Sequence, residues 1–173
     1  CAELAVDPKN AILNQFSEFA NYLAHYSVTG TALEHIFSHQ QSINQDLSLS
    51  AFIAGTGSAG TLAAGDYLKE TFGTKIVAME AVECPTMLSN GYGEHNIQGI
   101  GDKHIPLIHN VMNTDIIAGI SDKSCDELSV LFNSAIGRDY LINRCGLSAE
   151  TTSGLSALGL SGIGSAGGGL IES

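Results

Sequence analysis

The feature that most constrains this chain is a short apolar run that ends abruptly in glycines: Leu49-Ser-Ala-Phe-Ile-Ala54, then Gly55-Thr-Gly-Ser-Ala-Gly60. A run of that length and character reads as a buried strand, and the glycines permit a tight turn that bulkier residues would block. A helix is predicted next, because Ala64, Leu68 and Phe72 recur every four residues while Asp66, Lys69 and Glu70 fall on the other face. Thr61 and Gly65 are small enough to keep that helix close to its sheet, and Gly73 ends it. Lys75-Ile-Val-Ala-Met-Glu80 reads as a second buried strand. Strand, loop, helix and strand of these lengths form one right-handed parallel unit, so the fold class is α/β.

Downstream, Asp115-Ile-Ile-Ala-Gly-Ile120 is a third strand, and Ser121 or Asp122 caps a helix with an apolar stripe of Leu128, Leu131, Phe132 and Ala135, stopped by Gly137. Upstream, Ala32, Leu33, Ile36 and Phe37 give Thr29 to Gln40 helical spacing. Ala157 to Ser161 reads as a last short strand. Residues 164–173 are glycine-rich and read as a flexible tail, which leaves 1–163 as the folded portion. Between residues 84 and 114 periodicity fails, and a loop of about 30 residues inside a compact domain is usually functional.

A hydrophobic content of 44% supports a folded chain, and the net charge of −11 repels nucleic-acid backbones and anionic membrane surfaces. No apolar run reaches the roughly 18 residues of a membrane span and no signal pattern opens the chain, so the expected location is cytoplasmic. Cys1, Cys84, Cys125 and Cys145 form no C-x-x-C pair and read as reduced, mostly buried thiols. His35 and His39 have metal-compatible spacing but no third ligand nearby, so they read as a solvated helix face and no metal site is assigned.

The glycine loop has two chemical readings. Gly55-x-Gly57-x-x-Gly60 between strand and helix satisfies the dinucleotide fingerprint, with Glu80 placed to accept a ribose hydroxyl. Any phosphate ester would suit the same physics of converging backbone N–H groups and a helix's positive end. Thr56, Ser58 and Thr61 add hydroxyl donors, a density better matched to one terminal phosphate than to a pyrophosphate.

Four segments in order tip the balance. Asn14-Gln-Phe16 with His25-Tyr26 and Thr29-Gly30, Gly55-Thr-Gly-Ser-Ala-Gly-Thr61, His95-Asn-Ile-Gln-Gly-Ile-Gly101 with Ile105-Pro106, and Gly159-Leu-Ser161 resemble the fold-type II pyridoxal-phosphate enzymes, which include cysteine synthase and cystathionine β-synthase. The resemblance covers roughly residues 12 to 163. It implies a three-layer αβα large domain on a mainly parallel sheet, present here incompletely. It implies that Gly55, Thr56, Gly57, Ser58, Ala59, Gly60 and Thr61 hold the phosphate of pyridoxal 5'-phosphate and that Ser161 meets the pyridine nitrogen. It also implies that Gln15 binds the substrate carboxylate and that Gln98, Gly99, Ile100 and Gly101 line the mouth of the site. A neutral serine partner leaves the pyridine largely unprotonated, which suits β-elimination and β-replacement better than transamination. Each residue also has a purely structural reading: a surface amide for Gln15, turn residues for Ser161, Gly99 and Gly101.

This chain departs from the family in two ways. Its loop is two residues longer than the family's glycine-threonine-glycine-glycine-threonine, and after Ile163 the likeness ends. The family's preceding portion, with its Schiff-base lysine, has no counterpart here, and Lys9, Lys69, Lys75, Lys103 and Lys123 lie in no segment like the lysine motif. No catalytic residue is therefore assigned. The expectation is part of a lyase or β-replacement enzyme acting on a small amino acid, as a fragment, one piece of a split enzyme or a degenerate relative. Its expected partners are a complementary segment and, by resemblance, a second copy in a homodimer. The alternatives are a nicotinamide-binding oxidoreductase domain and a non-catalytic binding or regulatory module.

Overall fold

The computed structural model describes residues 2–157, the last four of them by backbone only. The predicted strand at 157–161 and the tail at 164–173 lie outside that range, apart from Ala157, which closes a helix.

The sheet has three parallel strands in the order β1 (Ala51–Gly55), β2 (Lys75–Ala81) and β3 (Ile116–Ile120) among the described residues. Ala54 pairs with Ala78 and Met79 with Ala118. β2 lies between the other two strands and is buried from Ile76 to Ala81, as expected for a parallel strand covered on both faces. Alternation then divides its side chains. Ile76 and Ala78 pack with Ala54, Ala59, Leu62 and Phe52 on one face, while Val77, Met79 and Ala81 pack with Ile97, Ile100, Ile120 and Cys125 on the other. Three layers result.

Three helices build the first outer layer: α1 (Phe19–Ala24), α2 (Thr31–Ile43) and α3 (Leu62–Phe72). Gly65 brings α3 onto the sheet, since a Cβ there would lie 2.8 Å from the Phe52 ring. Thr61 takes no part in that approach, because it is exposed. Gly73 closes the helix at φ 72°, a left-handed conformation that glycine adopts without strain. Thr29-Gly30 does not start a helix as expected. Residues His25–Gly30 form a π-helical turn that joins α1 to α2 without a break. Two tyrosine hydroxyls tie these segments to α3: Tyr26 of the π-turn donates to Glu70, and Tyr67 of α3 donates to Glu34 of α2.

A short α4 (Thr86–Ser89) interrupts the long loop before β3. On the opposite face lie α5 (Asp122–Asn133), α6 (Ala135–Asn143) and α7 (Ala149–Ala157). Ser121 caps α5 as expected, its hydroxyl accepting from the Ser124 N–H at 3.1 Å. Gly137 is not the stop. Ser134 ends α5 and caps α6, and Gly137 is buried inside α6, where a Cβ would lie 2.1 Å from the Leu131 carbonyl oxygen.

Candidate functional site

The site lies outside the carboxyl ends of β1 and β2, where parallel sheets place their ligand crevices. Gly55 ends β1, and Thr56 turns inward and is buried. Its N–H and its hydroxyl both donate to the Met79 carbonyl, at 2.8 and 3.0 Å, so this hydroxyl is spent on fastening the loop to β2. Beyond it the chain curls over Ala59, whose φ of 66° is left-handed, and enters α3. The backbone N–H groups of Gly57, Ser58, Ala59 and Thr61 donate no hydrogen bond among the described residues. They precede an eleven-residue helix, so four free donors and the positive end of its dipole coincide.

Two other segments build the rim. Asn21, from α1, donates one amide nitrogen to both the Gln15 carbonyl at 2.9 Å and the Ser58 hydroxyl at 3.1 Å, tying the N-terminal segment to the loop. Gly60 makes that contact possible, because a Cβ there would lie 2.3 Å from Asn21 Oδ1. From the other side, the Gly101 N–H donates to the Thr56 carbonyl at 2.9 Å, and a Cβ on Gly57 would lie 2.8 Å from the Gly99 oxygen. Asp122 holds this segment in place by accepting from the Asn96 and Ile97 N–H groups at 2.7 and 3.1 Å. The structure therefore brings the segments around residues 15, 57 and 99 to one place. Gln15, Gln98 and Gly99 are exposed on it, whereas the Ile100 side chain is 6% exposed and belongs to the core. Ser161 lies outside the described residues.

The geometry speaks against the dinucleotide reading at Glu80. That carboxylate is 2% exposed and accepts from the Met87 and Leu88 N–H groups at 2.9 and 2.7 Å, capping α4. It has been recruited by the fold and does not face a ribose. Lys69 and Lys75 meet Asp115 at 2.8 and 3.2 Å at the opposite, N-terminal edge of the sheet. Lys103, with His95, Asp102 and Asp122, lines a shallow open depression beside Gly101.

Several contributors escaped the sequence reading. Asp66, expected on the exposed face of α3, is 4% exposed and accepts from Tyr22 at 2.7 Å and from Asn110 and Asn113. Burial, then Asp66 itself, pushes the Tyr22 phenol's pKa up, so it remains a donor. Burial pushes the His109 imidazole down, against the pull of Asp66's charge, and so favours the neutral ring. Helical periodicity carries no signal for these, because their partners come from distant segments. Cys84 and Cys125 are buried as expected but Cys145 is exposed, and no disulfide joins the three. His35 and His39 are exposed, and no group of three or more potential metal ligands occurs among the described residues.

Cysteine synthase B of Campylobacter jejuni is 33% identical over 118 residues, 67% of this chain and 37% of that protein. This chain is cysteine synthase-like in sequence. A Staphylococcus aureus cysteine synthase is 32% identical over 117 residues, and no protein-family model matches. A hydrogen sulfide-producing enzyme of Fusobacterium nucleatum, solved with an α-aminoacrylate intermediate, superposes on 91% of this cysteine synthase-like chain and 44% of its own, with a TM-score of 0.66 and 26% identity. The chain thus spans between a third and a half of the length of these relatives. The α/β architecture is theirs, and the oxidoreductase alternative is not favoured. No helix among the described residues is long and apolar enough to cross a membrane.

Proposed function

We propose that this chain supplies the phosphate cradle for pyridoxal 5'-phosphate in a cysteine synthase-type enzyme acting at the β-carbon of a small amino acid. The observation that carries the reading is the set of four unspent N–H groups at Gly57, Ser58, Ala59 and Thr61 on the N-terminus of α3. A phosphate monoester presents the acceptors and the charge that this arrangement lacks. The Thr61 hydroxyl is exposed beside them, and the Ser58 hydroxyl proton is unspent while its oxygen accepts from Asn21.

When bound, the cofactor draws electrons from the amino acid's α-carbon, which lets a β-substituent leave. The α-aminoacrylate in the Fusobacterium nucleatum relative supports chemistry at the same carbon. In this chain Gln15 and the Gln98–Gly101 segment border the cradle and would orient the substrate, and Ser161 would meet the ring nitrogen. None of the five lysines is assigned to the cofactor, so the reading is a chain that binds without turnover and depends on a complementary lysine-bearing segment.

Borohydride reduction after loading with pyridoxal phosphate tests this. Binding without stoichiometric labelling of any lysine is expected. Specific labelling of one, such as Lys103 in the depression beside Gly101, would show that the chain carries its own catalytic lysine.

A further inference from the structure

Beneath the glycine loop, Thr56, Glu80, Cys84, Thr86 and His109 line a cavity of about 20 Å³. That is room for one water and for nothing as large as an amino acid. His109 is 9% exposed and has one nitrogen engaged, Nε2 lying 3.0 Å from the Thr114 hydroxyl. Its Nδ1 is fully buried and has no partner among the described residues. A neutral imidazole left with one nitrogen unpaired in the interior is costly, and native structures satisfy such groups with protein or with ordered water.

We infer that this cavity is a binding site for one ordered water, held between His109 Nδ1 and the Thr56 hydroxyl oxygen, and that His109 is thereby a positioning residue for the glycine loop. The chemistry of the walls selects the occupant. Two acidic residues, Glu80 and Asp102, are among the lining and disfavour an anion, and no three-ligand metal set exists among the described residues. An apolar guest would leave Nδ1 unpaired. The Thr56 hydroxyl gives its proton to Met79, so its oxygen is an acceptor for a water O–H. Whichever tautomer His109 adopts, a water can donate to Nδ1 or accept from it. The bridge would connect the segment leading into β3 with the first residue of the loop that the proposed function assigns to phosphate, and in that respect the inference rests on that reading.

Three measurements decide it. A crystal structure of the 173-residue chain should show a water in the cavity within hydrogen-bond reach of His109 Nδ1, whether or not cofactor binds. His109→Gln keeps a polar atom near Nε2 and removes Nδ1, whereas His109→Asn keeps one near Nδ1. The Gln variant should lose the water and bind pyridoxal phosphate about five- to tenfold more weakly, and the Asn variant should recover both. A dry cavity in the parent protein, or equal affinity in the two variants, would overturn the inference while leaving the proposed function standing. A parent protein that holds the water but binds no pyridoxal phosphate would sink the proposed function instead, and with it the positioning role.

Discussion

Gly60 shows how one missing side chain organises the site. Its Cα faces the Asn21 amide so closely that a methyl group would sit within 2.3 to 2.7 Å of three of that side chain's atoms. Asn21 would then have to release the Ser58 hydroxyl or the Gln15 carbonyl, and the loop would lose its tie to the N-terminal segment. Gly60→Ala should therefore weaken pyridoxal phosphate binding roughly tenfold, equivalent to about 1.4 kcal/mol, in a spectroscopic titration. Unchanged affinity would mean that the tie is incidental. The glycine spacing was legible in the sequence; the reason for this particular glycine was not, because Asn21 is 39 positions away and enters only through packing. Glu80 teaches the same lesson in reverse. Its distance from the loop fits a ribose acceptor, yet its oxygens are taken by α4, which no spacing rule reveals.

At the scale of elements, strand and helix periodicities found β1, β2, β3 and α3 within a few residues, since burial on one or both faces writes itself into the pattern. They failed where a polar contact decided the outcome. Ser134 caps α6 and so ends α5 before Gly137, and the π-turn that merges α1 and α2 is tied to α3 by the Tyr26 hydroxyl. The two lysines that reach Asp115 are another such contact, joining the starts of β2 and β3 to α3. The Lys69 hydrogen bond first, and then the Ile76 N–H, hold the Asp115 carboxyl well below its ordinary value of 3.8. A carboxyl depressed in the folded state stabilises it fully above the unfolded value and loses that contribution as pH falls through the folded one. The stability gap between the parent protein and Asp115→Asn, read from denaturation midpoints, should accordingly be widest near neutrality and shrink steadily below about pH 4. A gap that stays constant down to pH 2 would refute the assignment.

At the scale of the molecule, the described residues expose several large apolar side chains on the helices of the first outer layer. Phe19 and Leu23, one turn apart on α1, are each 57% exposed, and Ile36 and Ile43 lie two turns apart on α2 at 61% and 70%. Rows of this kind mark surfaces that ordinarily pack against something. The chain should self-associate in sedimentation experiments, and Phe19→Asp combined with Leu23→Asp should move it towards monomer. A parent protein that stays monomeric at every concentration would count against an apolar docking face. What the sequence determined by itself was local and periodic: an α/β class, three strands, a glycine turn suited to phosphate, and a likeness to cysteine synthase in four ordered segments. Tertiary structure alone decided which of the loop's donors are unspent, that Glu80 and Asp66 serve the fold, and that His109 keeps a buried nitrogen beside the loop. The physical reason is that a hydrogen bond depends on atoms within about 3 Å in space, and the partners that decide this site lie dozens of positions apart along the chain.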